Sequence, residues 1–203
     1  MRAAAALALT LALLGCTTAP TRPPAADPER VWQERRAALA ELDRWRLTGR
    51  IAIQTEGEGW HATLHWRQQQ SRYDIRLIGP LGQGSVRLTG SPGRVVLRTE
   101  DGVSEAADPD WLLRRNLGWR VPVAALRYWV LGLPAPGPAA DRTLDPYGRL
   151  ARLEQADWTI EFQEYERRNG YELPSRIAVR NHRARVRLVV GRWQPLQAEG
   201  ETG

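Results

Sequence analysis

The chain of 203 residues has no lysine and only one cysteine. A single thiol cannot form a disulfide within the chain, so the stability of the fold must come from packing. The longest apolar run, Ala3 to Leu14, is too short to cross a bilayer, which takes about 20 residues. With 42% hydrophobic residues, the rest of the chain can still bury the core of one domain.

Motifs of catalysis are also absent from the sequence. No serine lies in a Gly-x-Ser-x-Gly elbow, and the glycine-rich stretch Gly79–Ser85 contains no lysine and lacks P-loop spacing. His61 and His65 would share one face of a helix, but the surrounding alternation predicts a strand. Four strand residues separate them by about 13 Å, too far to share one metal ion. We therefore expect a binding protein rather than an enzyme, with no metal and no other cofactor.

The amino terminus has the features of an export signal. Arg2 precedes the apolar run, which ends in Leu13-Leu14-Gly15-Cys16. This ending resembles the lipobox of bacterial lipoproteins, which implies cleavage after Gly15, S-diacylglycerol on the Cys16 thiol and an N-acyl chain on the new amino terminus. The alternative is an ordinary secretory signal followed by an incidental cysteine. Because either signal takes the chain out of the cytoplasm, we expect no nucleic acid partner.

Composition divides the remaining chain. Residues 1–15 form the predicted signal peptide, and residues 16–28 form a tether rich in Pro, Ala and Thr that we expect to be extended and to leave the domain free to rotate. Residues 29–196 form a single predicted domain, and residues 197–203 a polar tail.

Periodicity predicts a mainly β domain that begins with a helix. Asp27 and Pro28 are typical of a helix start, and apolar residues then recur at helical spacing as far as Trp45. From Trp45 onward the period is two, which predicts an antiparallel meander with one apolar face and a polar turn at Gln68–Ser71. Further alternating runs between Arg149 and Val190 predict a second set of strands.

Two short apolar helices are predicted between the two sets of strands. Asp108-Pro109 and Gly118 bound the first, while the second starts near Pro122 and stops before Gly132. They could be a plug of ordinary core or a movable lid over the sheet, and the sequence leaves both open.

All 29 basic residues are arginine, and the formal net charge is +6. The interpretation that we favour is the codon bias of a GC-rich genome. The functional alternative is a basic face for anionic partners or lipid headgroups.

Several motifs in their order along the chain resemble the LolB family. They are Leu47-Thr48-Gly49-Arg50-Ile51-Ala52, Trp60 to Trp66, Gly79-Pro80-Leu81-Gly82, Leu126 to Pro134, Gly148-Arg149-Leu150, Gln155 to Trp158 and Leu173-Pro174. The resemblance covers nearly all of the chain after the signal. It implies an α+β fold of the LolA/LolB type, namely an incomplete antiparallel β-barrel whose apolar concave face is covered by short helices.

The resemblance also implies a function. The protein would accept acylated lipoproteins from the periplasmic carrier LolA and insert them into the outer membrane, as a lipid-anchored monomer on the periplasmic face. Pro80, Leu81 and Gly82 would form the membrane-insertion loop, and we expect Leu81→Ile to be near neutral because apolar area is kept. The residues assigned to the acyl-chain cavity are Trp60, Leu64, Trp66, Ile75, Leu77, Leu126 and Trp129.

Two other classes of function remain as alternatives. One is a structural or accessory lipoprotein that scaffolds envelope complexes. The other is a lipid-active hydrolase, for which the sequence contains no nucleophile motif.

Overall fold

Alternation of buried and exposed side chains runs through most of the chain, and each alternating run is a strand. The computed structural model describes residues 22–55, 59–82, 84–119, 121–137 and 140–196. The predicted signal peptide, Cys16 and the polar tail lie outside the described residues. Three helices are described: α1 (Pro28–Ala40), α2 (Pro109–Leu117) and α3 (Val123–Trp129).

The strands form one sheet. They are β1 (Arg44–Thr55), β2 (Gly59–Gln69), β3 (Arg72–Ile78), β4 (Val86–Ser91), β5 (Arg94–Thr99), β6 (Gly102–Ala106), β7 (Asp141–Leu144), β8 (Leu150–Gln155), β9 (Trp158–Arg168), β10 (Tyr171–Arg180) and β11 (Ala184–Pro195).

Two antiparallel meanders are joined at the centre of this sheet. The strand order is β6-β5-β4-β3-β2-β1-β11-β10-β9-β8-β7, so the first strand of one meander pairs with the last strand of the other. β6 and β7 do not pair with each other, which leaves the barrel unclosed. α2 packs against β5 and β6 beside the opening. The prediction of an incomplete antiparallel barrel with short helices is confirmed.

No helix among the described residues is both long enough and apolar enough to cross a membrane.

The start of α1 is as predicted, but its apolar stripe is shorter. Asp27 caps the helix by accepting a hydrogen bond from the backbone N–H of Arg30 (3.0 Å), and Pro28 occupies the first turn. Trp45, which both the helical spacing and the strand alternation included, lies in β1. Its ring packs between Trp66 and Trp193, with centroid distances of 5.1 and 5.2 Å. The chain has already turned between helix and strand, so the spacing from α1 to Trp45 is coincidental.

Gln68 is placed differently from the predicted polar turn. It belongs to β2, and its side chain is 3% exposed on the apolar face. Trp66 Nε1 donates to Gln68 Oε1 (3.0 Å), and Gln68 Nε2 donates to the carbonyl of Gln70 (2.8 Å). Both polar ends of the amide therefore have hydrogen-bond partners, so its burial costs little free energy.

The described end of the predicted tether packs on the domain. The backbone N–H of Ala25 donates to the carbonyl of Pro146 (2.8 Å). Arg22 forms an ion pair with Glu172 (2.8 Å) and lies over the ring of Tyr147. The part of the tether from Arg22 onward is thus fixed to the domain rather than free to rotate.

Candidate functional site

An apolar cavity lies between the concave face of the sheet and the helices α2 and α3. Its volume is about 130 Å³, and Thr55 is the one polar residue among the described residues that line it. Six of the seven residues assigned to a cavity from the sequence line this space: Leu64, Trp66, Ile75, Leu77, Leu126 and Trp129. The structure therefore brings these six together. Their role in holding acyl chains stays a prediction.

Strand register explains why four of these residues share one face. Leu64 lies opposite Leu77, and Trp66 lies opposite Ile75, in the antiparallel pair β2–β3. Residues directly opposite in such a pair point to the same side of the sheet. A shift of one residue would move all four to the solvent side, so the burial of this face specifies the register.

Trp60 is placed outside the cavity wall. It has the same parity on β2 as Leu64 and Trp66, but it lies at the start of the strand, beyond the end of the cavity. Its ring packs against Trp119, with centroids 5.5 Å apart, and Trp119 does line the cavity. The alternation along β2 predicted the correct side of the sheet for Trp60. It could not predict how far along the barrel axis this residue lies.

The second meander supplies part of the wall, which the sequence reasoning did not assign. Trp158 of β9 and Ile177 and Val179 of β10 line the cavity, together with Trp119 and Val121 between the two helices. The alternation of Trp158, Ile160 and Phe162 in β9 was a usable signal. The sequence does not show that β11 returns to pair with β1, which is what brings these strands to the same cavity.

The carboxyl end of α3 is held to β8 by a buried amide. Trp129 Nε1 donates to Gln155 Oε1 (3.0 Å), which also accepts from the backbone N–H of Ala135 (2.9 Å). Gln155 Nε2 donates in return to the carbonyl of Ala135 (2.8 Å). The ring of Trp129 also packs against Trp158 at 6.3 Å between centroids. One end of the helical cover is thus attached to the sheet by both polar and apolar contacts.

The connection from α2 to α3 depends on one partly buried carboxylate. Asp108 caps α2, Gly118 ends it with a left-handed backbone (φ 69°), and both positions agree with the prediction. Asp110 Oδ1 then accepts from the backbone N–H of Val123, the first residue of α3 (2.9 Å). Burial raises the pKa of Asp110, against the lowering effect of this hydrogen bond.

The tip of the loop between β3 and β4 presents an exposed leucine. Leu81 is 98% exposed, and Pro80 and Gly82 flank it in a tight turn. Its backbone lies in the left-handed region (φ 57°, ψ 18°), which costs a non-glycine residue of order 1 kcal/mol. The turn is closed by Gly82 N–H, which donates to the carbonyl of Gly79 (3.1 Å). A large apolar side chain is therefore held in solvent by an unfavourable backbone conformation.

His61 and His65 both lie on the exposed face of β2, as the strand prediction required. Across the described ranges, no group of three or more His, Cys, Asp or Glu residues could hold a metal ion.

Comparison with known proteins identifies the family. The family model for outer membrane lipoprotein LolB matches residues 43–193. The outer-membrane lipoprotein LolB of Nitrosococcus oceani is 44% identical over 184 residues, which cover 90% of this chain and 92% of that protein. The LolB protein of Pseudomonas paraeruginosa is 43% identical over 196 residues, covering 96% and 95% of the two chains.

Solved structures agree on the fold. A LolA superfamily protein from Nitrosomonas europaea superposes with a TM-score of 0.55 over 86% of this chain and 96% of that one. At 8% sequence identity this likeness concerns the fold alone. The unclosed sheet, the helical cover and the sequence similarity agree, and the chain belongs to the LolB family of outer-membrane lipoproteins.

Proposed function

We propose that this protein accepts acylated lipoproteins from a LolA-like periplasmic carrier and inserts them into the outer membrane, without covalent chemistry. Cys16 carries the lipid anchor in this proposal, the cavity shelters the acyl chains of the cargo, and the loop of Pro80, Leu81 and Gly82 meets the bilayer. The protein acts as a monomer.

The physical need for such a cavity is large. Each methylene group of an acyl chain gains about 0.8 kcal/mol when it leaves water, so a free lipoprotein will not stay dispersed in the periplasm. A wall built from Trp66, Leu77, Leu126 and similar side chains removes the chains from water. Apart from Thr55, the described wall offers them no polar residue that would hold them against transfer to the bilayer, so release into lipid remains possible.

One observation carries the proposal: an apolar cavity and a fully exposed leucine occur in the same small domain. Leu64 and Trp66 of β2 line the cavity, β2 pairs with β3, and the chain leaves β3 directly into the turn that presents Leu81. An enclosed apolar wall suits the holding of acyl chains, while an exposed leucine at a loop tip suits contact with the membrane interface.

A reconstitution separates acceptance from insertion. Loaded carrier, the protein without its anchor and liposomes are mixed, and the cargo on each is scored. We expect Leu81→Glu to take cargo from the carrier at the wild-type level and to deliver it to liposomes at least tenfold more slowly. The reason is that a carboxylate at the tip opposes entry into the bilayer interface.

The matched control is Leu81→Met. Isoleucine, which the sequence alone suggested, is unsuitable because a β-branched residue is strongly disfavoured at φ 57°. Methionine keeps an unbranched apolar side chain and should deliver cargo at close to the wild-type rate. Delivery by Leu81→Glu at the wild-type rate would exclude the loop from insertion. A wild-type protein that binds neither acyl chains nor carrier would favour a scaffolding role instead.

A further inference from the structure

The three central strands β2, β1 and β11 carry several arginines and no acidic residue. On the outer side of these strands lie six exposed arginines, which we call the convex arginine face: Arg46, Arg50, Arg67, Arg185, Arg187 and Arg192. Within the described part of the chain, none of these guanidinium groups has a hydrogen-bond or ion-pair partner. Such a concentration of one sign of charge costs stability through repulsion, so it invites a functional explanation.

Several arginines on the flanking strands differ from the convex arginine face because they have acidic partners. Arg176 on β10 pairs with Glu164 (3.2 Å), and Arg87 on β4 pairs with Asp74 (2.7 Å). By contrast, Arg46 lies directly opposite Arg67 in the β1–β2 ladder, while the other neighbour of Arg67 is Asp74 of β3. Like charges in that position destabilise a strand pair. A general excess of arginine in the composition does not account for this contrast.

Register places this face beside the exposed leucine. Ile78, Thr63, Arg50 and Val189 follow one another across β3, β2, β1 and β11 as directly opposed neighbours. At about 4.8 Å between strands, Arg50 lies roughly 10 Å from Ile78, the last residue before the loop of Leu81. One shallow hollow on the outer surface is lined by Arg50, Arg187, Val189, Ile78 and Pro80.

The apolar residues in this region are also exposed. Ile78 is 37% and Val189 is 36% accessible, and both lie on the outer side of the sheet among the arginines. Exposed apolar side chains interspersed with unpaired guanidinium groups suit a bilayer interface, where the apolar groups enter the acyl boundary and the cations meet phosphates. Guanidinium groups bind phosphate oxygens through two parallel hydrogen bonds, which lysine cannot provide.

We infer that the convex arginine face binds the phosphate groups of anionic phospholipids and lays the outer side of the sheet against the bilayer. This orientation brings the loop of Leu81 to the lipid surface. The inference deepens the proposed function, on which the role of that loop rests, but lipid binding by the arginines does not depend on cargo transfer.

The test measures binding of the cargo-free mature chain from residue 16, with Cys16→Ala to remove the anchor, to vesicles. One set contains phosphatidylcholine alone, and the other contains phosphatidylcholine and phosphatidylglycerol in equal parts. We expect binding to the anionic vesicles that weakens as salt is added. Arg50→Gln with Arg187→Gln should weaken it about 25-fold, on the order of fivefold for each arginine.

The control variant is Arg36→Gln with Arg114→Gln, which removes the same charge from exposed positions on α1 and α2. It should lose less than threefold, the part expected from net charge alone. Equal loss in both double variants would overturn the inference, as would equal binding to neutral and anionic vesicles. Circular dichroism confirms that both variants fold.

Two further results separate this inference from the proposed function. If the Arg50/Arg187 variant binds anionic vesicles normally but takes less cargo from the carrier, the face docks an acidic protein and the lipid assignment is wrong. If wild type binds anionic vesicles through these arginines yet delivers no cargo, the inference stands while the proposed function fails.

Discussion

The two faces of β1, β2 and β11 are made by the same three strands and carry opposite chemistry. Trp66 and Leu188 on the concave side line an apolar cavity, whereas their neighbours Arg67 and Arg187 point to solvent without an acidic partner. Each strand residue faces away from the one before it, so a single backbone supports both surfaces. The difference teaches that one sheet can serve two ligands, as the two proposals require: acyl chains of the cargo on the concave side and phosphates of bilayer lipids on the convex side.

The difference between the two faces can first be tested by changing two adjacent residues of β2, one on each face. Trp66 is 4% exposed, packs on Trp45 and donates to Gln68. Trp66→Ala should therefore lower the free energy of unfolding by about 3–5 kcal/mol. Arg67→Ala on the opposite face should change it by less than about 0.5 kcal/mol, because relief of the repulsion with Arg46 offsets the lost attraction to Asp74. Urea denaturation measures both.

A fluorescent fatty-acid titration, together with thermal unfolding of the same variant, gives a second readout for Trp66→Ala. If the wall holds acyl chains, affinity should fall at temperatures where the variant is still folded. Loss of stability with unchanged affinity would instead make this part of the wall ordinary core.

The second way is to disturb the backbone that the two faces share. β1 meets β11 with a register shift at Thr48/Gly49. A Cβ on Gly49 would lie 2.5 Å from the carbonyl oxygen of Val189, which is backbone and cannot move aside cheaply. Gly49→Ala should therefore destabilise the fold by about 1–3 kcal/mol and affect both faces together.

Gly59→Ala provides the matched control for this change. No atom lies within 4 Å of a Cβ built at Gly59, and its stability should be close to that of wild type. An unchanged midpoint of thermal unfolding for Gly49→Ala would show that β11 can shift away from β1.

The smallest expected effect concerns Asp74 of β3, the acidic residue at the edge of the convex arginine face. Burial alone would raise the pKa of Asp74, but its hydrogen bonds with Arg87 and the charges of Arg87 and Arg76 hold the pKa below its usual value. A lowered pKa in the folded state stabilises the protein above about pH 4, and this contribution is lost as the pH falls through the folded value. Asp74→Asn should thus cost about 0.5–1 kcal/mol at pH 7.

Chemical denaturation across pH checks the sign. The gap between Asp74→Asn and wild type should close as the pH is lowered below about 4, where the wild-type carboxylate also becomes neutral. A gap that is independent of pH would mean that shape, not charge, accounts for the difference.

Local signals in the sequence predicted most elements but not their partners. Alternation found the apolar face of β2 and β3, and Asp108 with Gly118 bounded α2, because caps and periods are local properties. β7 was missed since its four residues, Asp141–Leu144, are an edge strand with one apolar side chain. Pro174 gave no strand signal, yet it lies buried in β10, where a register irregularity accommodates it and its carbonyl accepts from Trp193 Nε1.

The candidate site was also predicted only in part, because local signals do not show which distant strands pair. Leu64, Trp66, Ile75 and Leu77 follow from parity on neighbouring strands. Leu81 followed from its position between proline and glycine, but its left-handed backbone did not. Which arginines lack acidic partners depends on the pairing of β1 with β11, more than a hundred residues apart along the chain. Long-range pairing of this kind leaves no trace in composition.

The attachment of Arg22 to Glu172 and Tyr147 limits how far the domain can travel. Arg22 follows Cys16 by six positions, and a fully extended chain gains at most about 3.6 Å per residue. Because the proposed function places the anchor on Cys16, it keeps the point of attachment within roughly 20 Å of the headgroups. In that proposal the domain moves in a thin layer along the membrane, and the carrier must diffuse across the remaining distance to meet it. A longer linker would widen this layer and dilute the domain near the bilayer.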